Sequence, residues 1–395
     1  MPELTEVKER LEAEVDRLAD VLLDASHQIH ANPELGYEEH FAHDLLAGMI
    51  EDEGIAVERG ACGLDTAFMA SAGSEGPTVA VLCEYDALPV IGHACGHNVI
   101  GTAGLGAGLA AAKLADELGG RVVIMGTPAE EGGGGKVAMA EQGAFQNVDA
   151  AMMVHPAGGD LRSMNAVAVQ QCHVTYEGKA AHAAAAPEKG LNALDAAVLG
   201  YVNIAALRQH IAQDERIHGI FTEAGDAANV VPDHTKAVWY IRSRKRRGLE
   251  PLKERVLACL EAGAQAAGCT ASYHWQEPIY ADLVDVDPFI DLYVANIERS
   301  GRHVHDHRRF PALVGSTDMG NISYLVPSIH PIIAVSPPNV AIHTKDFVKY
   351  AGGPEGDKAV IDGAKAMAST VADLWLTPGK LEEIKAAFEA ADRRQ

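Results

Sequence analysis

The sequence predicts an α/β fold with a mainly parallel sheet, interrupted by a smaller inserted domain. At both ends of the chain, short apolar β-branched segments alternate with amphipathic helical segments, as in parallel sheets covered by helices. Between them, the segments follow the order β-α-β-β-α-β, which is the ferredoxin-like arrangement. We therefore expect a larger domain from residues 1–168 and 279–395, and an inserted domain over residues 169–278.

The larger domain begins with a helical period that runs to about His30, and a turn then leads into a second helix. Four predicted strands follow, and helices separate the later ones: TAFMASAG, TVAVLCEY, RVVIMGTP and VDAAMMVHP. After the insertion the pattern resumes with the helix PFIDLYVANIERSG, the strand IHPIIAVS, the long helix DKAVIDGAKAMASTVADLWL and a last charged helix. In such sheets, functional residues collect in the loops at the carboxyl ends of strands.

The inserted domain is predicted from four strands and two helices. The strands are VAVQQCHVTYEG, RIHGIFTEAG, TKAVWYIRS and CTASYHWQ, and the helices are GLNALDAAVLGYVNIAALRQHI and GLEPLKERVLACLEAGAQAAG.

Charge and composition exclude several classes of function. The chain carries 32 basic and 55 acidic side chains, a formal net charge of −23, which disfavours binding to nucleic acid and to anionic membranes. The charged N-terminal segment lacks the apolar core of a signal peptide, and the longest apolar segment is interrupted by Lys113. The six cysteines show no CxxC spacing, so we expect a cytoplasmic protein with reduced thiols.

The segment GHACGHN places Cys95 and His97 two residues apart, just before a glycine-rich helix. In an extended chain these two side chains point the same way. A helix N-terminus favours negative charge, so Cys95 is expected to be held readily as a thiolate. A thiolate and an imidazole are a zinc-type pair of ligands.

Further candidate ligands follow other predicted strands. Glu130 and Glu131 are adjacent carboxylates, so one can bind a cation while the other faces water as a general base. His155 ends a strand, His343 follows another, and Asp86 is placed to orient a ligating imidazole. Each of these residues alone is also compatible with a structural role, and only their co-occurrence favours a metal site.

Three other motifs are rejected as functional signatures. GGGGK lacks the first glycine of a phosphate-binding loop, because Glu130 stands there, and Val137 replaces its Ser/Thr. GLGAGL places Leu109 at the last glycine of a dinucleotide fingerprint, which argues against a nicotinamide oxidoreductase. HVHDH is flanked by arginines and is expected to be an exposed loop.

Five motifs in this order resemble those of the co-catalytic metallopeptidases of family M20, in their amidohydrolase branch: HANPELGYEE, EYDALP, GHACGHN, GTPAEEGGGGK and MMVHP. The resemblance implies two divalent cations, zinc before manganese or cobalt, with Cys95 bridging and Glu130 as the base. The implied ligands are Cys95, His97, Glu131, His155 and His343. One departure is Asn98, where that branch usually has aspartate, and it leaves the hydrogen bonding around the ligands open.

The resemblance also implies that the inserted domain is a lid through which two copies form a homodimer. His182 would stabilise the oxyanion across the dimer interface, and Asn229 and Arg242 would hold the substrate carboxylate. These last two are 13 positions apart, and we expect them near the ends of adjacent strands. Gly315 and Ser316, in GSTDMGNISYLVPSIHP, are further substrate-binding candidates, in a segment similar to p-aminobenzoyl-glutamate hydrolases and β-alanyl-lysine dipeptidases.

The predicted activity is hydrolysis of an amide bond in a small N-acyl amino acid, an aminobenzoyl-glutamate-like conjugate or a dipeptide, with release of a free amino acid. The alternative is a non-catalytic binding or partner subunit of a hetero-oligomeric amidohydrolase. The presence of Glu130 beside the candidate ligands favours the enzyme.

Overall fold

The computed structural model describes residues 3–310 and 314–391. These residues form two compact units. The first contains the described chain up to Asn165 and from Leu283 onward, and the second is Ala166–Asp282.

The helices are, in chain order, α1 (Leu4–Ala31), α2 (His40–Asp52), α3 (His97–Leu118), α4 (Gly135–Glu141), α5 (Ala193–Leu207), α6 (Arg246–Ala266), α7 (Asp287–Glu298), α8 (Met319–Ile322), α9 (Lys345–Ala351), α10 (Pro354–Leu376) and α11 (Lys380–Ala390). The strands are β1 (Val57–Arg59), β2 (Phe68–Ala72), β3 (Thr78–Cys83), β4 (Arg121–Gly126), β5 (Ala150–Met152), β6 (His155–Ala157), β7 (Asn165–Ala166), β8 (Ala168–Glu177), β9 (Arg216–Glu223), β10 (His234–Ser243), β11 (Thr270–Trp275), β12 (Val314–Gly315), β13 (Ser328–Ile329) and β14 (Ile332–Ala334).

The first unit is built on a six-stranded sheet with the order β1-β2-β4-β3-β5-β13. Strand β3 runs parallel to β4 and β5, and β13 runs parallel to β5. At the other edge, β2 is antiparallel to β4 and β1 to β2. The sheet is therefore mixed, with a parallel centre. Strands β1 and β2 are antiparallel because the short segment between them contains no crossover helix, which parallel pairing would require.

The parallel centre determines where polar residues meet. Strands β3, β4 and β5 are almost wholly buried, and the segments that follow them carry the charged and histidine side chains. Because the carboxyl ends of parallel strands lie at one edge of a sheet, these segments are brought together there.

The glycine-rich helix α3 is buried along nearly its whole length and packs against α1 and α10. Its glycines are packing residues: a Cβ at Gly104 would lie 2.5 Å from the carbonyl oxygen of Leu82, and one at Gly108 would lie 2.5 Å from Ile124. The run GLGAGL thus lets the helix approach β3 and β4 closely, consistent with its rejection as a dinucleotide motif.

The second unit has an antiparallel four-stranded sheet with the order β11-β8-β10-β9. Along the chain its elements are β8, α5, β9, β10, α6 and β11. Buried and half-buried side chains alternate along β10, and the buried set, including Trp239, packs with α5 and α6 in a separate core.

Within the described residues, no helix has both the length and the apolar character needed to cross a membrane.

Candidate metal centre

The five predicted ligands come from four separate segments of the first unit. Cys95 precedes α3 and His97 begins it, Glu131 follows β4, His155 begins β6, and His343 precedes α9. The structure brings all five together.

Cys95 lies at the centre of this group. Its Sγ is 3.3 Å from Nε2 of His155 and 3.4 Å from Nε2 of His343. The expected extended segment between Cys95 and His97 is wrong, because Gly96 has a left-handed φ of 81° and His97 is already helical. A side chain at Gly96 would collide with Pro156, with its Cβ only 2.6 Å from that ring, so the turn requires glycine.

The His97 ring has one satisfied and one unsatisfied nitrogen. Its Nδ1 is 2.8 Å from Oδ1 of Asp86. Its Nε2 is buried without a hydrogen-bond partner, and it faces three carboxylates, at 3.5 Å from Glu84, 3.8 Å from Glu130 and 3.9 Å from Glu131. A nitrogen and several carboxylate oxygens buried this close together are donors that a cation between them would satisfy.

Asp86 fixes two elements of the site at once. Besides the His97 ring, its carboxylate accepts a hydrogen bond of 2.9 Å from the backbone N–H of Glu131. Orientation of a candidate ligand by a carboxylate is the contact expected for Asp86.

Glu131 and His343 form the more exposed side of the group. Their Oε1 and Nε2 atoms are 3.5 Å apart, and the His343 side chain is half-exposed. His343 has a left-handed φ of 63°, and its N–H donates to the carbonyl oxygen of Ala94, which anchors it beside Cys95. Burial acts to raise the pKa of Glu131, yet that pKa lies below its usual value because His343 and His97 are close.

The donors fit divalent cations by their overlap and their chemistry. They form three groups, each with donor atoms within 4.8 Å of one another: Cys95, His97 and His155; Cys95, Glu131 and His343; and Glu84, His97 and Glu130. Sulfur and imidazole donors beside carboxylates suit zinc-type ions, and the membership of Cys95 in two groups is the arrangement a bridging ligand needs.

Electrostatics explain why these donors need a cation. Burial and Glu131 raise the pKa of the Cys95 thiol well above its usual value, which opposes the effect expected of the helix N-terminus. Burial, with His330 nearby, lowers the pKa of His155 to about 3, which keeps that imidazole neutral for ligation at neutral pH. Burial, Glu84 and Glu131 raise the pKa of Glu130 well above its usual value.

Three buried charged residues beside the site were missed from the sequence. Glu84 directly follows β3, and its Oε1 is 2.6 Å from Nζ of Lys136, which in turn is 2.7 Å from Oδ1 of Asp318. All three are completely buried. A signal was present in EYDALP, where Glu84 follows a fully apolar strand, and in GGGGK, where the lysine was considered only as a phosphate ligand.

His330 is a fourth residue that the sequence did not reveal. Its ring stacks on His155 with centroids 5.3 Å apart, and burial lowers its pKa to about 4. Elsewhere, HVHDH is only partly the exposed loop expected, since the His303 side chain is 80% exposed but His307 is buried, with its Nε2 2.9 Å from Oδ2 of Asp285.

Asn98 does not take part in the group of donors. It is fully buried, and its Nδ2 donates to Ser26 Oγ in α1 and to the carbonyl oxygen of Ala351 at the end of α9, both at 2.9 Å. This residue ties three helices together, which answers the question left open by the departure from aspartate.

The second unit carries His182 and Asn229 side by side. The N–H of Ala183 donates to the carbonyl oxygen of Asn229 at 3.0 Å. The N–H groups of Ala184 and Ala185 donate to Nδ1 of His182 at 3.2 and 3.1 Å. Both His182 and Asn229 are exposed.

Arg242 lies elsewhere in that unit. Its Nε donates to Nε2 of His218 at 3.3 Å, and its guanidinium lies over the ring of Tyr240. The expectation that Asn229 and Arg242 lie near ends of adjacent strands is wrong: Asn229 precedes β10, whereas Arg242 is near the far end of the same strand. From His234 to Arg242 the strand spans about 26 Å, at about 3.3 Å per residue.

Gly315 and Ser316 belong to the first unit, at the end of β12 and just after it. They lie on the segment that leads to Asp318, the partner of Lys136. Gly315 packs against Met164, where a Cβ would lie 2.6 Å from the terminal methyl group.

Comparisons with known proteins agree with this geometry. The sequence pattern of peptidase family M20/M25/M40 matches residues 80–373. The chain is 36% identical to the Xaa-Arg dipeptidase of Mus musculus, over 98% of this chain and 93% of that protein. It is 30% identical to one of the subunits of the p-aminobenzoyl-glutamate hydrolase of Escherichia coli, over 95% of this chain and 93% of that one.

Its fold is also that of a solved dinuclear metal-binding peptidase of the M20 family from Bacillus subtilis. The TM-score is 0.70 at 19% identity, and the match covers 92% of this chain and 99% of the other. With buried sulfur, nitrogen and oxygen donors gathered at the carboxyl edge of its sheet, the chain belongs to peptidase family M20 and is a metallopeptidase or amidohydrolase.

Proposed function

We propose that this protein uses two divalent cations, most suitably zinc, to hydrolyse the amide bond of a small substrate with a free carboxylate. The observation that carries the proposal is the overlap of three buried groups of donors, two of which share Cys95. Among the possible substrates, dipeptides come first, because a dipeptidase is similar over almost the whole chain. N-acyl amino acids and aminobenzoyl-glutamate-like conjugates follow.

Glu130 is assigned as the general base. Divalent cations bound there would lower the pKa of water and polarise the amide carbonyl. The Glu130 carboxylate, 6% exposed, lies beside the donors, and takes a proton from the attacking water. The same residue then returns this proton to the leaving amine.

His182 is assigned to the developing oxyanion. Its Nδ1 accepts two backbone hydrogen bonds, so in the neutral ring the proton is on Nε2. The ring therefore presents an N–H donor, and the exposed position lets it reach a substrate. Without those backbone contacts the ring could present either nitrogen.

Carboxylate recognition is assigned to Asn229, Arg242, Gly315 and Ser316. Because Asn229 and Arg242 lie at opposite ends of β10, one substrate carboxylate can contact both only if they come from two copies of the chain. The proposed homodimer is therefore required by this part of the assignment.

The second unit has an apolar surface suited to such a homodimer. Edge strand β9 exposes Ile220 and Phe221, at 66% and 37%, and helix α5 exposes Val198 and Val202, at 43% and 56%. An edge strand with neighbouring exposed apolar side chains is open to pairing with another chain. We infer that a second copy pairs with strand β9 at this edge of the sheet.

Purified protein assayed on a panel of dipeptides, N-acyl amino acids and p-aminobenzoyl-glutamate tests the proposal. We expect release of a free amino acid that stops with a chelator and returns with Zn²⁺, Mn²⁺ or Co²⁺. Cys95→Ala should reduce metal content in elemental analysis. Absence of turnover on the whole panel in metal-loaded protein would instead support the alternative, a binding or partner subunit, since the Escherichia coli relative is itself named as a hydrolase subunit.

A further inference from the structure

Glu84 divides its two carboxylate oxygens between two neighbours. Oε1 is 2.6 Å from the ammonium of Lys136, and Oε2 is 3.5 Å from the unpartnered Nε2 of His97. Glu84 is completely buried, at the end of the central strand β3. One oxygen therefore contacts the Lys136 ammonium group, while the other faces the buried His97 ring.

Lys136 is itself held firmly. Its Nζ contacts Asp318 Oδ1 at 2.7 Å, and its backbone N–H donates to Oδ2 of the same carboxylate at 3.0 Å. The preceding Gly135 is packed so tightly on the carbonyl oxygen of Pro128 that a Cβ would lie 1.9 Å from it. The ammonium group thus has little freedom to move away from Glu84.

Glu84, Lys136 and Asp318 contain two carboxylates and one ammonium group, and all three side chains are completely buried. Asp318 contacts only the far side of Lys136, whereas Glu84 also has donor atoms of His97 and Glu130 within 4.8 Å. The free oxygen of Glu84 therefore belongs to a buried group of donors that a cation can complete.

Resting on the proposed metal function, we propose that Glu84 is a ligand of one of the two cations, and that Lys136, locked by Asp318, is a positioning residue. By binding Oε1, Lys136 turns Oε2 toward Nε2 of His97. By holding Oε1, Lys136 fixes the orientation of the carboxylate, and through that orientation it supports the affinity of the cation site.

Metal affinity tests this role directly. In competition titrations against a chelator, Glu84→Gln should weaken one of two Zn²⁺ sites by at least about 100-fold, and Lys136→Met by about 10- to 100-fold. Co²⁺-loaded Glu84→Gln should also show altered visible absorption, because a ligand has changed. Thermal unfolding in chelator establishes that each variant is folded.

The double variant Glu84→Gln/Lys136→Met separates the two explanations. If Glu84 only neutralises Lys136, removing both charges should restore wild-type metal affinity. If Glu84 is a ligand, the site stays weakened by at least about 100-fold. Recovery of wild-type affinity in the double variant, or two unperturbed sites in Glu84→Gln, would overturn the proposal; if Glu84→Gln does not fold, the double variant decides.

Lys8→Met is the matched control. Lys8 also forms an ion pair, although only a partly buried one: its Nζ is 2.7 Å from Asp373, and it contacts none of the candidate ligands. This variant should lose stability and keep both metal sites at wild-type affinity. Wild-type protein that binds no divalent metal would contradict the proposed function itself, whereas two normal sites in Glu84→Gln would contradict only the role of Glu84.

Discussion

The candidate residues of the two compact units are held in opposite ways. In the first unit, His97 and its neighbours are buried, and side chains fix side chains, as Asp86 fixes His97 and Lys136 contacts Glu84. In the second unit, His182 and Asn229 are exposed and are held through backbone groups.

This difference indicates a division of labour. In the proposed assignment, the buried donors of the first unit hold the cations and come from one chain. Exposed residues gain a defined environment only when a substrate or a second copy covers them. Changes in the first unit should therefore affect metal binding or the chemical step, whereas changes in the second should leave the metal intact.

The largest effect is expected at Glu130. Glu130→Gln keeps the size of the side chain but removes the base, so kcat should fall by about 10³-fold, within the range typical of general-base catalysis. Metal content, measured by elemental analysis, should remain that of the wild type.

Glu131→Gln, the same substitution at the adjacent carboxylate, is the matched control for this test. It should lose metal as well as activity, because Glu131 lies in a group with Cys95 and His343. If Glu130→Gln retained turnover, another group would have to be the base. If both variants lost metal equally, the separate roles of the two carboxylates would be refuted.

The second-largest loss of activity is expected at His182, in the second unit. His182→Ala should lower kcat by about 10²-fold, as the loss of one oxyanion donor does, with no change in metal content. Mixing the His182→Ala protein with the Glu130→Gln protein shows whether His182 acts in the site of its own chain or in that of the partner chain. If His182 acts in the partner's site, mixed dimers contain one site with both wild-type residues and recover activity.

Homodimers of each variant, assayed at the same total concentration, are the control for that mixing experiment. A mixture no more active than the sum of its components would show that His182 does not act across the interface. Ile220→Asp, placed on the exposed edge strand, should abolish the dimer and the recovery together, as measured by light scattering.

Much of the metal centre could be predicted because its residues follow a local rule. Glu131 lies in the loop after β4, Cys95 lies just before α3, and His155 follows β5 after two residues, and parallel strands bring such positions to one edge of the sheet. Glu84 directly follows β3 and Lys136 lies in the first turn of α4, but both were overlooked because acidic and lysine side chains are usually solvated. Only the fold shows that both are buried against each other.

Other features depend on long-range geometry that sequence spacing does not determine. The 13 positions between Asn229 and Arg242 in the sequence could contain a turn between two strands or a single straight strand. In the structure, most of them belong to the single strand β10. The antiparallel edge of the main sheet was not predicted because β1 has only three residues and no clear alternation. The pKa of the Cys95 thiol depends on burial, which opposes the effect expected of the local helix N-terminus.

A smaller effect is expected at Arg242. Arg242→Ala should raise KM for carboxylate substrates by about 10-fold, consistent with the loss of a charge-assisted hydrogen bond, and should leave metal content unchanged. Arg208→Ala is the control, since Arg208 also lies over an aromatic ring, that of Tyr201, and donates to the carbonyl oxygen of Ile217. An unchanged KM in Arg242→Ala would move the carboxylate site to other residues.

The smallest effect on catalysis is expected at Asn98, although it adjoins a candidate ligand. Asn98→Asp restores the residue usual in the amidohydrolase branch, but it removes the amide that donates to Ser26 and to the carbonyl of Ala351. The new carboxylate would face that carbonyl while buried, so the free energy of unfolding should fall by about 1–3 kcal/mol. Metal affinity and kcat should stay within about twofold of wild type, because no candidate ligand receives a hydrogen bond from this amide. Urea unfolding and chelator titration of the same preparation measure both quantities, and a large loss of metal affinity without loss of stability would show that Asn98 acts on the ligands and not on helix packing.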